Sequence, residues 1–246
     1  MLRLGIDVGS TYTKYCVLSC GNKMEDCFAE KTPIRQKEYF ERRLTELKRE
    51  KGDLASVSCG YGKANVPFAQ KSINELTALA KGSHLVCPDV NVVLDIGGQD
   101  TKIICHENGD LKRFYINDRC AAGSGMFLIN TLRLLEMDFD DLDLEDIRSE
   151  ITLSSVCAVF AQTEIVGLIA DNVPAKDIAG AVVWHILLQS RSLLSKVNIA
   201  NGILLSGGLT QIRGFQEMAG RIFETQCTVG PYAGYLSAIG CALSAK

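Results

Sequence analysis

The sequence predicts an α/β protein of two lobes with a duplicated core and a cleft between them. Two observations carry this reading. The string Asp7-Val8-Gly9-Ser10-Thr11-Tyr12-Thr13-Lys14 returns 88 residues later as Asp95-Ile96-Gly97-Gly98-Gln99-Asp100-Thr101-Lys102, with four positions identical. Each copy sits between short apolar runs, Leu2 to Ile6 and Tyr15 to Leu18 for the first, Val92 to Leu94 and Ile103 to Cys105 for the second. Both therefore read as strand, glycine turn, strand. Helical patterns follow each strand-rich opening, as two packed α/β layers require.

After the first repeat, residues 35–51 are charged, with a thin apolar stripe of Phe40, Leu44 and Leu47, and predict a helix. Ala55 to Cys59 predicts a strand closed by Gly60-Tyr61-Gly62. Val66 to Lys81 predicts a helix ended by Gly82. Residues 83–90 are the expected boundary, giving lobes of 1–88 and 89–232, the first joined by a C-terminal helix over about 233–246. The second repeat leads through a turn at 107–110 to a strand, Leu111 to Ile116, and then to Asn117-Asp118-Arg119-Cys120-Ala121-Ala122-Gly123-Ser124-Gly125. Helices are expected over Met126 to Glu136, Val156 to Ala170 and Ile178 to Lys196. The acidic stretch Asp138 to Asp146 lacks EF-hand spacing and reads as a solvated loop and short helix. Ile203 to Leu205 is a strand entering Ser206-Gly207-Gly208-Leu209, with helices from about Phe215 and over Tyr235 to Leu243.

The 246 residues, 47% hydrophobic with 5 prolines, describe a compact globular chain. A net charge of −3 and no basic tract argue against nucleic acid as a partner. No apolar run approaches a membrane span, and the N-terminus enters a strand directly, so no signal peptide is expected. The 10 cysteines are scattered without a C-x-x-C pair, which fits a reducing cytoplasm and not a zinc ribbon or disulfide framework.

An Asp at a strand end can face a metal ion, and glycines let backbone N–H groups close around phosphate oxygens. Two such hairpins facing each other would grip a nucleoside triphosphate from both sides. No Walker A or dinucleotide fingerprint is present. Cys120 and Cys157 both stand at expected helix starts, where backbone donors and the dipole favour thiolate. Two ligands per chain cannot complete a cubane cluster that takes four, whereas a symmetric dimer supplies the missing pair.

The two Asp-Gly hairpins with Gly207-Gly208 downstream resemble the actin, heat-shock-70 and sugar-kinase superfamily, whose fold is actin-like (ribonuclease H-like). That resemblance implies phosphate binding by Gly9, Ser10 and Thr11 and by Gly97, Gly98, Gln99 and Asp100. It implies Mg²⁺ held through water by Asp7 and Asp95, Lys14 neutralising phosphate, and Gly207 and Gly208 against adenosine. Glu75, on the connecting helix, is the candidate for positioning the hydrolytic water, with Glu164 and Gln99 as alternatives.

The Cys120 motif, Cys157 with Phe160-Ala161, and the Asp95 string more closely resemble the ATP-dependent activators of 2-hydroxyacyl-CoA dehydratases. These belong to the BadF/BadG/BcrA/BcrD-type ATPases, with subunits of benzoyl-CoA reductase and the reductases of double-cubane cluster proteins. The likeness spans Leu4 to Ala242; Arg119, Ser124 and Met126 depart from it without removing a ligand or a glycine. It implies a homodimer bridged by one [4Fe–4S] cluster on Cys120 and Cys157. ATP hydrolysis would drive one-electron transfer from a ferredoxin or flavodoxin to a partner iron–sulfur dehydratase or reductase. A sugar-type kinase with incidental cysteines, or an actin-like filament protein, is the alternative; neither needs Cys120 with Cys157.

Overall fold

The computed structural model describes residues 2–145, 147 and 151–246, so the last residue of the acidic stretch, Asp146, lies outside the described residues. In chain order the elements are β1 (Leu2–Val8), β2 (Tyr12–Leu18), β3 (Met24–Lys31), α1 (Gln36–Lys51), β4 (Leu54–Cys59), β5 (Lys71–Ser72) and α2 (Glu75–Val86). Then come β6 (Val92–Ile96), β7 (Thr101–Glu107), β8 (Asp110–Asn117), α3 (Gly125–Leu134), α4 (Ala158–Ala170) and α5 (Ala175–Leu194). The chain closes with β9 (Ile203–Gly207), α6 (Phe215–Phe223), β10 (Cys227–Val229) and α7 (Leu236–Ser244).

Two five-stranded sheets form, ordered β3-β2-β1-β4-β5 and β10-β9-β6-β7-β8. Read from opposite edges they show one succession, with the opening strand of each sequence repeat at the centre. The α/β class and its duplicated core are therefore as the sequence predicts. The chain divides into two compact units, Met1–Asn91 with Ile104–Arg113 and Gly230–Lys246, and Val92–Ile103 with Phe114–Val229. Among the described residues no helix is long and apolar enough to cross a membrane.

In the first unit β1 pairs antiparallel with β2 and parallel with β4. Alternation sends Leu4, Ile6 and Val8 to one face, where they pack with Tyr15, Val17 and with Phe40 and Leu47 of α1. The opposite face takes Ala55, Val57 and Cys59 against Ala78 of α2, Cys241 of α7 and Ala245 just beyond it. Close approach there depends on glycine. A Cβ on Gly5 would overlap the Ala238 carbonyl oxygen, and one on Gly240 the Ala78 carbonyl oxygen.

Two expectations need correction. The helix predicted over Val66 to Lys81 begins instead at Glu75, because Asn74 caps it by accepting from the Leu76 N–H at 2.8 Å. Pro67 and the short strand β5 occupy the earlier residues. Gly82 does not end the helix; it lies inside it, where a Cβ would overlap the Leu236 carbonyl oxygen of α7. Strand β3 was not expected. Its charges (Glu25, Asp26, Glu30, Lys31) leave little apolar signal, as befits a half-exposed edge strand.

The second unit builds its helical layer around α5, against which α3, α4 and α6 pack. Strands β6, β9 and β10 run parallel, in the register Asp95↔Ser206 and Ile96↔Gly207.

Candidate functional site

Each unit carries one copy of the repeated turn. In the first, the β1–β2 register sets Asp7 directly opposite Lys14. Asp7 is buried, with Lys14 Nζ 3.9 Å from its Oδ2 and the Cys59 thiol donating to its Oδ1 at 3.6 Å. Burial first, then a hydrogen bond with Cys241 and the charges of Asp7 and Glu75, push the Cys59 thiol well up. Glu75, half-buried as the first residue of α2, therefore shares the Asp7 neighbourhood. The turn Gly9, Ser10, Thr11 is held by Thr32, which follows β3. Its hydroxyl donates to the Gly9 carbonyl at 2.8 Å and its N–H to the Thr11 carbonyl at 2.9 Å. Ser10 is left exposed.

In the second unit Asp95 is again buried near a strand end. The Gly97 N–H donates to the Asp100 carbonyl at 2.8 Å and closes the turn, leaving Gln99 exposed. Lys102, 4% exposed, sets its Nζ 2.8 Å from Asp100 Oδ1 and 3.7 Å from Asp95 Oδ2. The β6–β9 register puts Gly207 beside Ile96, so the glycine pair and the second turn are brought together. Gly207 has φ +102°, and a Cβ there would overlap the Ile96 carbonyl oxygen, so only glycine fits. Gly208 faces open space. Sequence reasoning missed Lys102. The repeat held the signal, because Lys102 occupies the position of Lys14.

The second turn is bonded directly to the segment that follows Cys120. The Gly125 and Met126 N–H groups donate to the Gly97 and Gly98 carbonyls at 2.9 Å each, and the Thr101 hydroxyl donates to the Gly123 carbonyl. Cys120 caps the short 3-10 turn Ala121–Gly123, and Cys157 caps α4; both are extended in backbone. The Cys120 thiol donates at 3.9 Å to the carbonyl of Val156, the residue before Cys157, so the two cysteines share one surface. Cys157 is exposed.

Glu164, one turn and a half into α4, accepts from the N–H groups of Ser154 and Ser155 at 2.8 Å each and from both hydroxyls. These bonds, led by the Ser155 hydroxyl, bring its carboxyl down to about 2. They also hold the approach to Cys157, a role not foreseen from the sequence. Around them α4 and the residue before its cap show an apolar exterior: Val156, Val159, Phe160 and Val166 are 65%, 70%, 67% and 52% exposed. Among the described residues no three His, Cys, Asp or Glu side chains converge as a metal site.

The profile of the BadF/BadG/BcrA/BcrD ATPase family matches residues 4–245. The (R)-2-hydroxyglutaryl-CoA dehydratase activating ATPase of Acidaminococcus fermentans is 32% identical, over 98% of this chain and 96% of its own length. The solved activator of the 2-hydroxyisocaproyl-CoA dehydratase from Clostridium difficile, with bound ADPNP, superposes with a TM-score of 0.91 at 29% identity. That match covers 100% of this chain and 94% of the activator. A ROK family glucokinase from Streptomyces griseus, with glucose and AMPPNP, gives a TM-score of 0.65 at 13% identity, covering 100% of this chain and 99% of the kinase; it shares the fold alone. The fold is the actin-like one that the paired turns predict, and this chain belongs to the BadF/BadG/BcrA/BcrD ATPase family.

Proposed function

We propose that this chain is an ATP-dependent activator that delivers low-potential electrons singly to a partner iron–sulfur enzyme, a 2-hydroxyacyl-CoA dehydratase or a double-cubane cluster protein. One observation carries the reading: the second turn and the Cys120 segment share three hydrogen bonds, through Gly97, Gly98 and Thr101. A change in that turn on nucleotide binding or hydrolysis would be passed to the cysteine across a short, stiff link. The relative named as a dehydratase activating ATPase supports the same role.

Each turn carries the chemistry of a phosphate loop for ATP. Gly9, Ser10 and Thr11, with Gly97, Gly98, Gln99 and Asp100, offer backbone and hydroxyl donors to the phosphates. Lys14 and Lys102 offset their charge, and Gly207 and Gly208 admit the adenosine because they carry no side chain. Asp7 and Asp95 would hold Mg²⁺, which would offset phosphate charge. Glu75, at the start of α2, orients the attacking water.

Cys120 and Cys157 fit half of a [4Fe–4S] ligand set: two thiols on one surface, at the starts of helical segments, with Cys157 open to solvent. The same pair from a second copy completes four ligands in a homodimer. When bound, the cluster supplies one-electron transfer, with ferredoxin or flavodoxin as donor. The apolar exterior of α4, which borders Cys157, is the surface through which the two copies meet. Glu164 keeps the Ser154–Ser155 approach to Cys157 fixed. We place the protein in the cytoplasm. A sugar-type kinase would leave the cysteine pair and its bonds to the second turn without a task.

Anaerobic purification tests the assignment. Cys157→Ser is expected to lose iron and keep ADPNP binding, while Asp95→Asn keeps iron and loses ATP hydrolysis. Full iron content in Cys157→Ser would defeat the ligand assignment.

A further inference from the structure

A second pair of thiols lies in the first unit, apart from the residues given a function above. Cys16 of β2 stands directly opposite Cys27 of the edge strand β3. Directly opposed residues on antiparallel strands have Cα atoms about 4.5–5.5 Å apart, inside the about 4.4–6.8 Å range that a disulfide spans. Both thiols donate to Met24 Sδ, each at 3.3 Å, so the sulfurs converge on one point. Cys16 is fully buried, whereas Cys27 is half-buried on an edge strand and open to a small reagent. Contact with Cys27, then burial, drives the Cys16 thiol far up, which makes Cys27 the entry point and Cys16 the resolving thiol.

We propose that Cys16 and Cys27 form a reversible dithiol–disulfide pair, oxidised by exchange with a low-molecular-weight disulfide, and that the bridge acts on the Gly9–Thr11 turn. The Cys27 thiolate attacks one sulfur of the reagent, forms a mixed disulfide and expels one thiolate. Cys16, giving its proton to that thiolate, attacks Cys27 Sγ and expels the second. Two protein thiols lose two electrons and two protons, and the reagent leaves as two thiols. The route to the turn is covalently short. β3 runs from Cys27 to Lys31, and the next residue, Thr32, holds the Gly9 and Thr11 carbonyls and meets the Thr13 hydroxyl at 3.1 Å. Drawing β3 onto β2 at Cys27 therefore moves the strand that supports the turn.

The test is exposure of the reduced chain to oxidised glutathione without oxygen, followed by trypsin digestion and mass spectrometry without reductant. Residues 15–23 and 24–31 are expected as one linked peptide, about 2 Da lighter than the sum, separated again by dithiothreitol. The link must persist in Cys20→Ser, since Cys20 shares the first peptide. Cys16→Ser is expected to stop at a stable glutathione adduct on Cys27. A bridge from Cys16 to Cys241, or no link while Cys20 and Cys157 react, overturns the pair. The effect on the turn rests on the proposed ATP site and is read separately. A fluorescent ATP analogue is expected to bind the bridged and reduced forms with different Kd, and glutathione-treated Cys27→Ser like its reduced form. Equal Kd for the bridged and reduced forms overturns the link to the turn and leaves the peptide result standing.

Discussion

Replacing Lys102 with Met removes a cation placed between Asp95 and Asp100 while keeping a chain of similar length. Its Nζ lies 2.8 Å and 3.7 Å from the two carboxylates, and its side chain is 5% exposed. At an effective dielectric constant of about 20 those separations correspond to attractions of about 6 and about 4.5 kcal/mol. Desolvation of three charges offsets most of that, so the native arrangement contributes little net stability. The variant reads a different quantity, the penalty of removing one partner from a buried ion pair, which is about 3–5 kcal/mol. For a chain of this size each kcal/mol shifts Tm by about 2–4 °C, so Lys102→Met is expected to melt roughly 6–20 °C below the native protein. Adding Asp100→Asn recovers part of the loss at neutral pH. Thermal unfolding followed by circular dichroism measures both. A Lys102→Met protein melting with the native one would refute the reasoning.

The remaining predictions concern other parts of the molecule. Glu164 is depressed to about 2 when folded against an ordinary value of about 4.3, so its contribution is present above pH 4.3 and lost as pH falls through about 2. Glu164→Gln is expected to flatten that acid limb and to speed hydrogen exchange at the Ser154 and Ser155 amides; unchanged exchange would remove its role in holding the approach to Cys157. His106 is buried with both ring nitrogens unpartnered, and burial first, then the nearby His84, lower its pKa. Below pH 6.5 the unfolded chain binds the proton more readily, so stability falls with pH from there. His106→Leu should weaken that fall in urea titrations at about pH 7 and pH 5. Gly240→Leu must displace the Ala78 backbone, a loss of at least about 3 kcal/mol, checked by urea midpoint against Gly167→Ala, where a Cβ meets open space.

Much of the candidate site's placement in the fold was legible because a repeated turn repeats its residues. Asp, glycine and lysine recur at fixed intervals, and the two sheets follow the same strand succession. Lys102 was readable from that spacing and passed unnoticed. Cys120 and Cys157 stood out because capping positions rarely need a thiol. The rest had no local pattern. Glu164 finds its donors nine and ten residues upstream, a tertiary loop closure that no periodicity announces. Edge strand β3 lacks the apolar alternation of a covered strand. The start of α2 was obscured by the apolar run from Val66, and only the Asn74 cap distinguishes it. Gly82 resembles a helix stop in sequence, yet its purpose is to let α7 approach.

The most direct measurement is the electron paramagnetic resonance spectrum of the anaerobically reduced protein, recorded with and without ADPNP. The account predicts a [4Fe–4S] signal of about one spin per two chains, absent in Cys120→Ser and altered in shape or potential when nucleotide binds. A protein without iron, or a cluster whose signal ignores the nucleotide, would contradict it.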